Sequence, residues 1–339
     1  MHLDEFDYEL PPERIAQHPL AERDASRMLV DAALTGGTVE HRHTRDLPEY
    51  LRPGDVLVLN DTRVLPARVR FRRPSGGASE VLLLEDRGDG WWEALARPSA
   101  KLPPGLVVEV GPRLSLEFGD DLGEGRRLVR PVADDLLAAL DEHGEMPLPP
   151  YIGERLDEPE RYQTVYAQRP GSAAAPTAGL HLTPEVLARC EAAGARIAHV
   201  ELVVGLDTFR PIAVEDVTQH RMHTERYRVP EPTWQACKEA SRVVAVGTTV
   251  VRALESAAAR GELEGRTDLF IRRPYDFQVV DVLLTNFHLP RSSLLVLVDA
   301  FVGPHWRDLY EIAKAEGYRF LSFGDAMLLA RATSTGAGS

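Results

Sequence analysis

The chain has 339 residues, 44% of them hydrophobic and 27% charged, a balance that fits a folded globular protein large enough for two domains. Its net charge of −13 excludes a global basic field, so a nucleic-acid partner would have to meet a local basic patch. Two cysteines, Cys190 and Cys237, with no C-x-x-C, exclude a disulfide framework and a cysteine-rich zinc site and predict a reducing, cytoplasmic setting.

In chain order, the acidic start Met1–Leu10 lacks the basic and apolar segments of a signal peptide. Gly54-Asp55 followed by Val56–Leu59 predicts a turn entering a fully buried strand, which ends in the polar group Asn60-Asp61-Thr62-Arg63. After Pro66, short runs follow at Ala67–Phe71, Glu80–Leu84, Trp91–Ala96, Leu106–Val110, Leu114–Phe118 and Leu128–Val132. Each is bounded by Gly, Pro or Asp, the spacing of a small antiparallel barrel.

From Pro147 helices alternate with apolar strands. Thr183-Pro184-Glu185 supplies a cap, a first-turn proline and an acid for a helix that stops at Gly194. Strands are expected at Arg196–Val204, Arg242–Val246, Leu269–Ile271 and Val279–Leu284, and helices near Thr233–Ala240, Thr249–Arg260 and Trp306–Glu316. The apolar stretches Val243–Val251 and Leu294–Val302 fall short of the roughly 18–20 residues that span a bilayer, so no membrane partner is expected. The expected fold is α/β: a main domain of residues 1–64 and 147–339 with a mostly buried sheet, and an inserted antiparallel β-barrel domain at 65–146. The tail Ala332–Ser339 is expected to fray.

No phosphate loop, G-x-G-x-x-G or G-x-S-x-G occurs. His223-Thr224-Glu225 matches the H-x-E half of a zinc deaminase without its P-C-x-x-C half. His41 and His43 share a strand face but have no third ligand nearby, so no metal is expected. Four polar clusters sit beside buried runs: Asn60–Arg63, Ala175–His181, Gly247–Arg252 and Thr285–Pro290. Three follow an apolar strand directly, and ligands gather at carboxyl ends of open α/β sheets, so the four are expected to line one pocket. Plainer roles compete: an Asx-turn at Asn60-Asp61, a helix cap at Thr248-Thr249, and core packing of His181 and His288. Between residues 61 and 73 the charge balance is +4, and Arg68, Arg70 and Arg72 alternate onto one strand face. With Arg73 this is the best polyanion footprint in an acidic chain, unless the stripe is simply solvated.

The stretches Tyr8–Pro11, Ile15–Gln17, Asp24–Leu29, Gly54–Arg68, Pro147–Ile152, Arg161–Ala167, Ala174–His181, Ala245–Ser256, Leu283–Ser293 and Tyr318–Leu328 span nearly the whole chain. Through them it closely resembles the S-adenosylmethionine:tRNA ribosyltransferase-isomerase family of the queuosine pathway. The resemblance implies a cytoplasmic enzyme with an α/β domain and an inserted barrel. It would move the ribosyl part of S-adenosylmethionine onto 7-aminomethyl-7-deazaguanine at the tRNA wobble position, releasing adenine and methionine. S-adenosylmethionine would be a co-substrate, with no cofactor beyond it, and the partner would be a tRNA anticodon stem-loop bound by a monomer. There are departures: a family histidine falls on Val203 and a glycine on Asp207, and the family's P-G-Y reads Arg273-Pro274-Tyr275 here. If that histidine is an acid or base, the alternative is a catalytically silent tRNA-binding homologue. An ordinary methyltransferase is disfavoured by the missing glycine-rich loop.

A sulfonium acidifies its neighbouring C5′ protons, so the implied reaction asks for a base, an acid for departing adenine and a water-poor pocket. His181 is the first candidate base, beside a small-residue turn that lets substrate approach. Asp61 is the second, unless it recognises ribose hydroxyls, and His288 is the third ionisable group. Thr248, Thr249 and Arg252 at a helix start suit the amino-acid carboxylate. Asn60, Arg63, Thr177, Gly179 and Asn286 complete the expected substrate-binding set. Phe209, Tyr275, Phe277 and Phe287 are expected either to stack a base or to fill the core.

Overall fold

A computed structural model describes residues 1–205 and 211–332; Asp207, Phe209 and nearly all of the tail expected to fray lie outside the described residues. The centre of the molecule is a mixed sheet with nine strands among the described residues. Their order is Glu264–Thr267, Glu225–Arg228, Arg196–Leu202, Asp55–Asn60, Arg242–Val246, Val282–Asn286, Ala326–Ala330, Arg27–Val30 and Glu40–His43. The four from Arg196–Leu202 to Val282–Asn286 run parallel, with Asn60 opposite Val200 and Val246 opposite Leu284. The outer strand pairs turn antiparallel at both edges.

Both faces of the parallel strands are buried, which is why they read as continuous apolar runs. Val243, Ala245 and Leu283 pack on one face with the helices Thr248–Arg260, Ser293–Val302 and Trp306–Ala315. Val244, Val246 and Leu284 pack on the other with Leu47, Leu51 and the helix Pro184–Ala192. The Thr183 hydroxyl caps that helix by accepting from Val186 N at 3.2 Å.

Residues 68–145 form a second, wholly antiparallel sheet, in the order Gly144–Glu145, Arg68–Arg72, Ala78–Asp86, Trp92–Arg97, Arg126–Val132, Leu114–Gly123 and Val107–Gly111. It encloses its own core of Val69, Leu83, Leu116, Phe118 and Val129, under the helix Leu136–His143. The sheet curls, so that Arg68–Arg72 approaches Val107–Gly111 from the far end of the order. A short parallel pair, Thr62–Val64 with Arg169–Ser172, marks where the chain leaves and rejoins the main sheet.

Two local expectations change. No strand forms at Leu269–Ile271; the edge strand is the polar Glu264–Thr267, and Ile271 is apolar because its loop packs on the core. The cap of the helix Thr248–Arg260 is Gly247 at φ +94°, a conformation open to glycine, so Thr248 and Thr249 lie inside the first turn. No described helix is long and apolar enough to cross a membrane.

Candidate active site

The carboxyl ends of the four parallel strands share one edge, so the segments after Asn60, Leu202, Val246 and Asn286 emerge side by side. Asn60 is consumed there by backbone. Its Nδ2 donates to Leu202 O at 3.0 Å, and its Oδ1 accepts from Thr62 N at 3.2 Å and Leu202 N at 3.3 Å, an Asx-turn bonded to the next strand. Asp61 lies beneath Tyr166 and Arg169. Its Oδ2 is 3.6 Å from Arg169 Nε, while its buried Oδ1 has no hydrogen-bond partner among the described residues. Burial raises its pKa, with Arg169 pulling the other way. Gly179 lets Tyr166 approach: a Cβ there would lie 1.9 Å from the Tyr166 hydroxyl.

Thr177–His181 forms a short 3₁₀ turn against the end of Val282–Asn286. The Thr177 hydroxyl donates to Asn286 Oδ1 at 3.1 Å, and Asn286 Nδ2 donates to His181 Nε2 at 2.9 Å and to Leu321 O at 3.2 Å. This differs from the expected pocket-edge imidazole with an ordinary pKa. His181 is buried, and burial, with the charges of Arg319 and Arg23, pushes it down to about 3. His288 is likewise enclosed, with Nε2 2.9 Å from the Thr285 hydroxyl and its pKa lowered by burial to about 3. Both rings are therefore neutral and weakly basic, as packed histidines are. Phe287 lies in a cluster with Tyr310, Tyr318 and Phe320, and Phe277 lies between Tyr275 and Phe301, so these aromatics serve the core.

Arg252 is buried and bonded through Nη1 to Glu225, with Nε donating to Leu269 O at 3.2 Å. Its Nη2 and the nearby Thr249 hydroxyl are buried without hydrogen-bond partners among the described residues. Thr248 is buried beside them. Arg63 reaches the other way, to the exposed carboxylate of Glu160 at 2.7 Å. The four polar clusters thus share an edge without lining one pocket.

Glu225 opens onto a cavity of about 410 Å³, within the usual size of a small-molecule site. One wall belongs to the main sheet, with Val203, Gly205, Glu225 and Ser293; a second is the segment Gln219–Thr224; the third comes from the antiparallel insert, with Leu84, Glu85, Glu93 and Arg126. Glu93 is held below its ordinary pKa despite burial, because Arg126 and Arg87 both bond it. His220 packs edge-on against Phe270, and burial, with His223 beside it, lowers its pKa. His181, Asp61 and His288 are not among the cavity's described lining residues. Sequence reasoning missed this wall, reading His223-Thr224-Glu225 only as half of a zinc motif. The usable signal was the density of ionisable groups from His220 to Arg226, leading into the strand Glu225–Arg228. Among the described residues no cluster of three or more His, Cys, Asp or Glu is placed to hold a metal.

On the insert, Arg68, Arg70 and Arg72 do alternate onto one solvent-facing strand side. Glu80 lies 3.8 Å from both Arg68 and Arg70, and Glu145 lies 3.3 Å from Arg70, so the stripe is less positive than its sequence. Arg73 turns away over Gly77, with its Nε buried.

A cavity walled by the mixed α/β sheet on one side and the antiparallel sheet on the other has the size and the ionisable lining of a small-molecule site in an α/β protein. A family model described as queuosine biosynthesis protein matches residues 3–329, and the chain belongs to that family. An S-adenosylmethionine:tRNA ribosyltransferase-isomerase of Rubrobacter xylanophilus is 56% identical over 97% of this chain and 98% of its own. A protein of the same description from Thermus thermophilus is 51% identical over 96% and 99%. The crystal structure of S-adenosylmethionine tRNA ribosyltransferase from Thermotoga maritima superposes with a TM-score of 0.55 at 38% identity, covering 96% of this chain and 99% of that one.

Proposed function

We propose that this chain transfers and isomerises the ribosyl part of S-adenosylmethionine onto 7-aminomethyl-7-deazaguanine at the tRNA wobble position, giving epoxyqueuosine-tRNA with release of adenine and methionine. In this reading it is a cytoplasmic monomer, S-adenosylmethionine is a co-substrate, and no further cofactor takes part. The observation that carries the reading is the cavity of about 410 Å³ shared between the two sheets, because two substrates need a site with two walls. The main-sheet wall takes S-adenosylmethionine. Glu225 lines that wall and is held from behind by Arg252; Arg252 and Thr249 are not among the cavity's described lining residues and back the wall rather than receive the substrate carboxylate directly. The insert, read as a separate β-barrel domain at 65–146, delivers the wobble base to the opposite wall.

His220 is the proposed base. A histidine with a lowered pKa is neutral near pH 7 and can accept the C5′ proton. The protonated ring, or His223 beside it, then supplies the proton that departing adenine needs. Val203 lines the same cavity, and in this reading the departure from the family's histidine falls on the reacting wall. His220 and His223 supply imidazoles to the neighbouring wall. Binding of both substrates without turnover would favour the silent-homologue alternative.

The exposed side of Arg68, Arg70 and Arg72 is the proposed tRNA footprint on the insert, with Arg73 a weaker contributor because it turns away. Arg68→Ala, Arg70→Ala and Arg72→Ala combined should reduce the slope of log affinity for tRNA against log salt, by about one unit for each phosphate no longer neutralised. Affinity for S-adenosylmethionine should stay put. An unchanged slope would make the stripe a solvated face paired with Glu80 and Glu145.

A further inference from the structure

We propose that Arg23, Arg161 and Arg319 form a separate oxyanion seat, on the turn side of the main sheet, whose occupant is a backbone phosphate of the tRNA. The choice of occupant rests on the reading that tRNA is the substrate; the seat itself does not.

The three guanidiniums converge with His181, Ser26 and Ser322 on a small space of about 20 Å³. Backbone carbonyls hold them in place. Arg23 donates to Leu180 O and Glu160 O, both at 3.0 Å; Arg161 donates to Leu20 O at 2.5 Å and Ala21 O at 3.2 Å; Arg319 donates to His18 O at 3.4 Å. Carbonyls orient a guanidinium without neutralising it. The buried Asp325 offsets part of this charge: its Oδ1 pairs with Arg319 Nη2 at 3.8 Å, beyond hydrogen-bond reach, and its two oxygens accept from Arg27 N at 2.9 Å and Arg319 N at 2.8 Å, while Glu160 is turned toward Arg63, so one carboxylate stands against three guanidiniums.

Arg161 Nε and Arg319 Nη2 are buried with no hydrogen-bond partner among the described residues. Buried N–H groups left unpaired beside like charges are costly, and an arriving anion removes both costs together. The like charges act in the same direction as burial: burial and then Arg161 lower the Arg23 pKa, with Glu160 opposing, and Arg319 and Arg23 add to the burial that lowers His181. His181 accepts at Nε2 from Asn286, so the neutral ring carries its hydrogen on Nδ1 and adds a donor.

The space exceeds the roughly 10–15 Å³ that one water needs, yet it is far too small for a nucleotide. It suits one or two anionic oxygens entering from the mouth while the rest of the ligand stays outside. A phosphodiester does this, and arginine forks match its geometry. The amino-acid carboxylate of S-adenosylmethionine is the other source of such oxygens. The cavity assigned to that molecule has a different set of lining residues, whereas a polymer can reach both places.

The test uses the intact chain with Arg161→Gln and, separately, Arg319→Gln. Three quantities are measured: tRNA affinity across a salt series, the KM for S-adenosylmethionine, and the melting midpoint in inorganic phosphate against chloride at matched ionic strength. Each variant should flatten the tRNA salt slope by about one unit, leave the KM within about twofold, and lose the phosphate-specific rise in melting midpoint seen in wild type. A raised KM with an unchanged tRNA slope would assign the seat to the amino-acid carboxylate and overturn the proposal. Unchanged behaviour in all three would reduce the arginines to loop braces. Should the glutamine variants not fold, Arg319→Lys keeps the charge without the fork, and wild type alone still decides: no phosphate-specific stabilisation means no seat. A wild type that fails to bind tRNA yet responds to phosphate would remove the tRNA reading and leave the seat.

Discussion

His220→Gln is expected to fold, to bind both substrates nearly as wild type does, and to lose about 10²–10⁴ in kcat, the usual cost of removing a general base. The residue lines the shared cavity and is half-buried against Phe270, so a glutamine of similar reach fits without opening a void. Burial lowers its pKa, so the acid limb of the kcat/KM profile should lie below the ordinary histidine value of about 6.5. In His220→Gln that limb should vanish. Single-turnover kinetics over pH 5–8 would check both points, and a variant within about threefold of wild type would take the base role away from His220.

The second large effect concerns stability. Arg252 and Glu225 are a buried ion pair joining the helix Thr248–Arg260 to the strand Glu225–Arg228. Removing one charge leaves the other desolvated and uncompensated, so Glu225→Gln should cost about 3–5 kcal/mol in chemical denaturation. The double variant Glu225→Leu with Arg252→Met should recover most of that, because an apolar pair of similar size carries no desolvation penalty. It should still lose activity, since Glu225 lines the proposed site. Equal stability of Glu225→Gln and wild type would mean that water reaches the pair.

What was legible in the sequence follows from how strongly each pattern is enforced. Val56–Leu59 and Val243–Val246 are continuous apolar runs because both faces of the central strands are buried, and that pattern has few alternatives. The insert's strands were legible because Gly, Pro and Asp punctuate each one. The edge strand Glu264–Thr267 was not, because a solvated edge imposes no apolar period. The helix Ser293–Val302, capped by Ser292, was hidden for the opposite reason: nearly all-round burial erases the helical stripe. The site divided in the same way. Polar residues after strands correctly marked the edge, yet position along a strand does not say to which face a side chain turns. Asn60 went into backbone bonds and His181 was buried against Asn286 beside a different, smaller space, while His220 and His223 came to the cavity from a segment without regular period and Glu225 from the strand that follows it. The arginine stripe kept its predicted alternation but acquired Glu80 from the next strand of its hairpin and Glu145 from a strand distant in sequence, pairings that the sheet register reveals.

The central claim, a ribosyl transfer carried out between the two walls of one cavity, is tested most directly by product analysis. The protein is incubated with S-adenosylmethionine and tRNA bearing 7-aminomethyl-7-deazaguanine, and the released small molecules are identified. Adenine and methionine in equal amounts, matched by epoxyqueuosine in the tRNA and abolished together in His220→Gln, are the predicted result. S-adenosylhomocysteine, or binding of both substrates with no release of adenine, would contradict it.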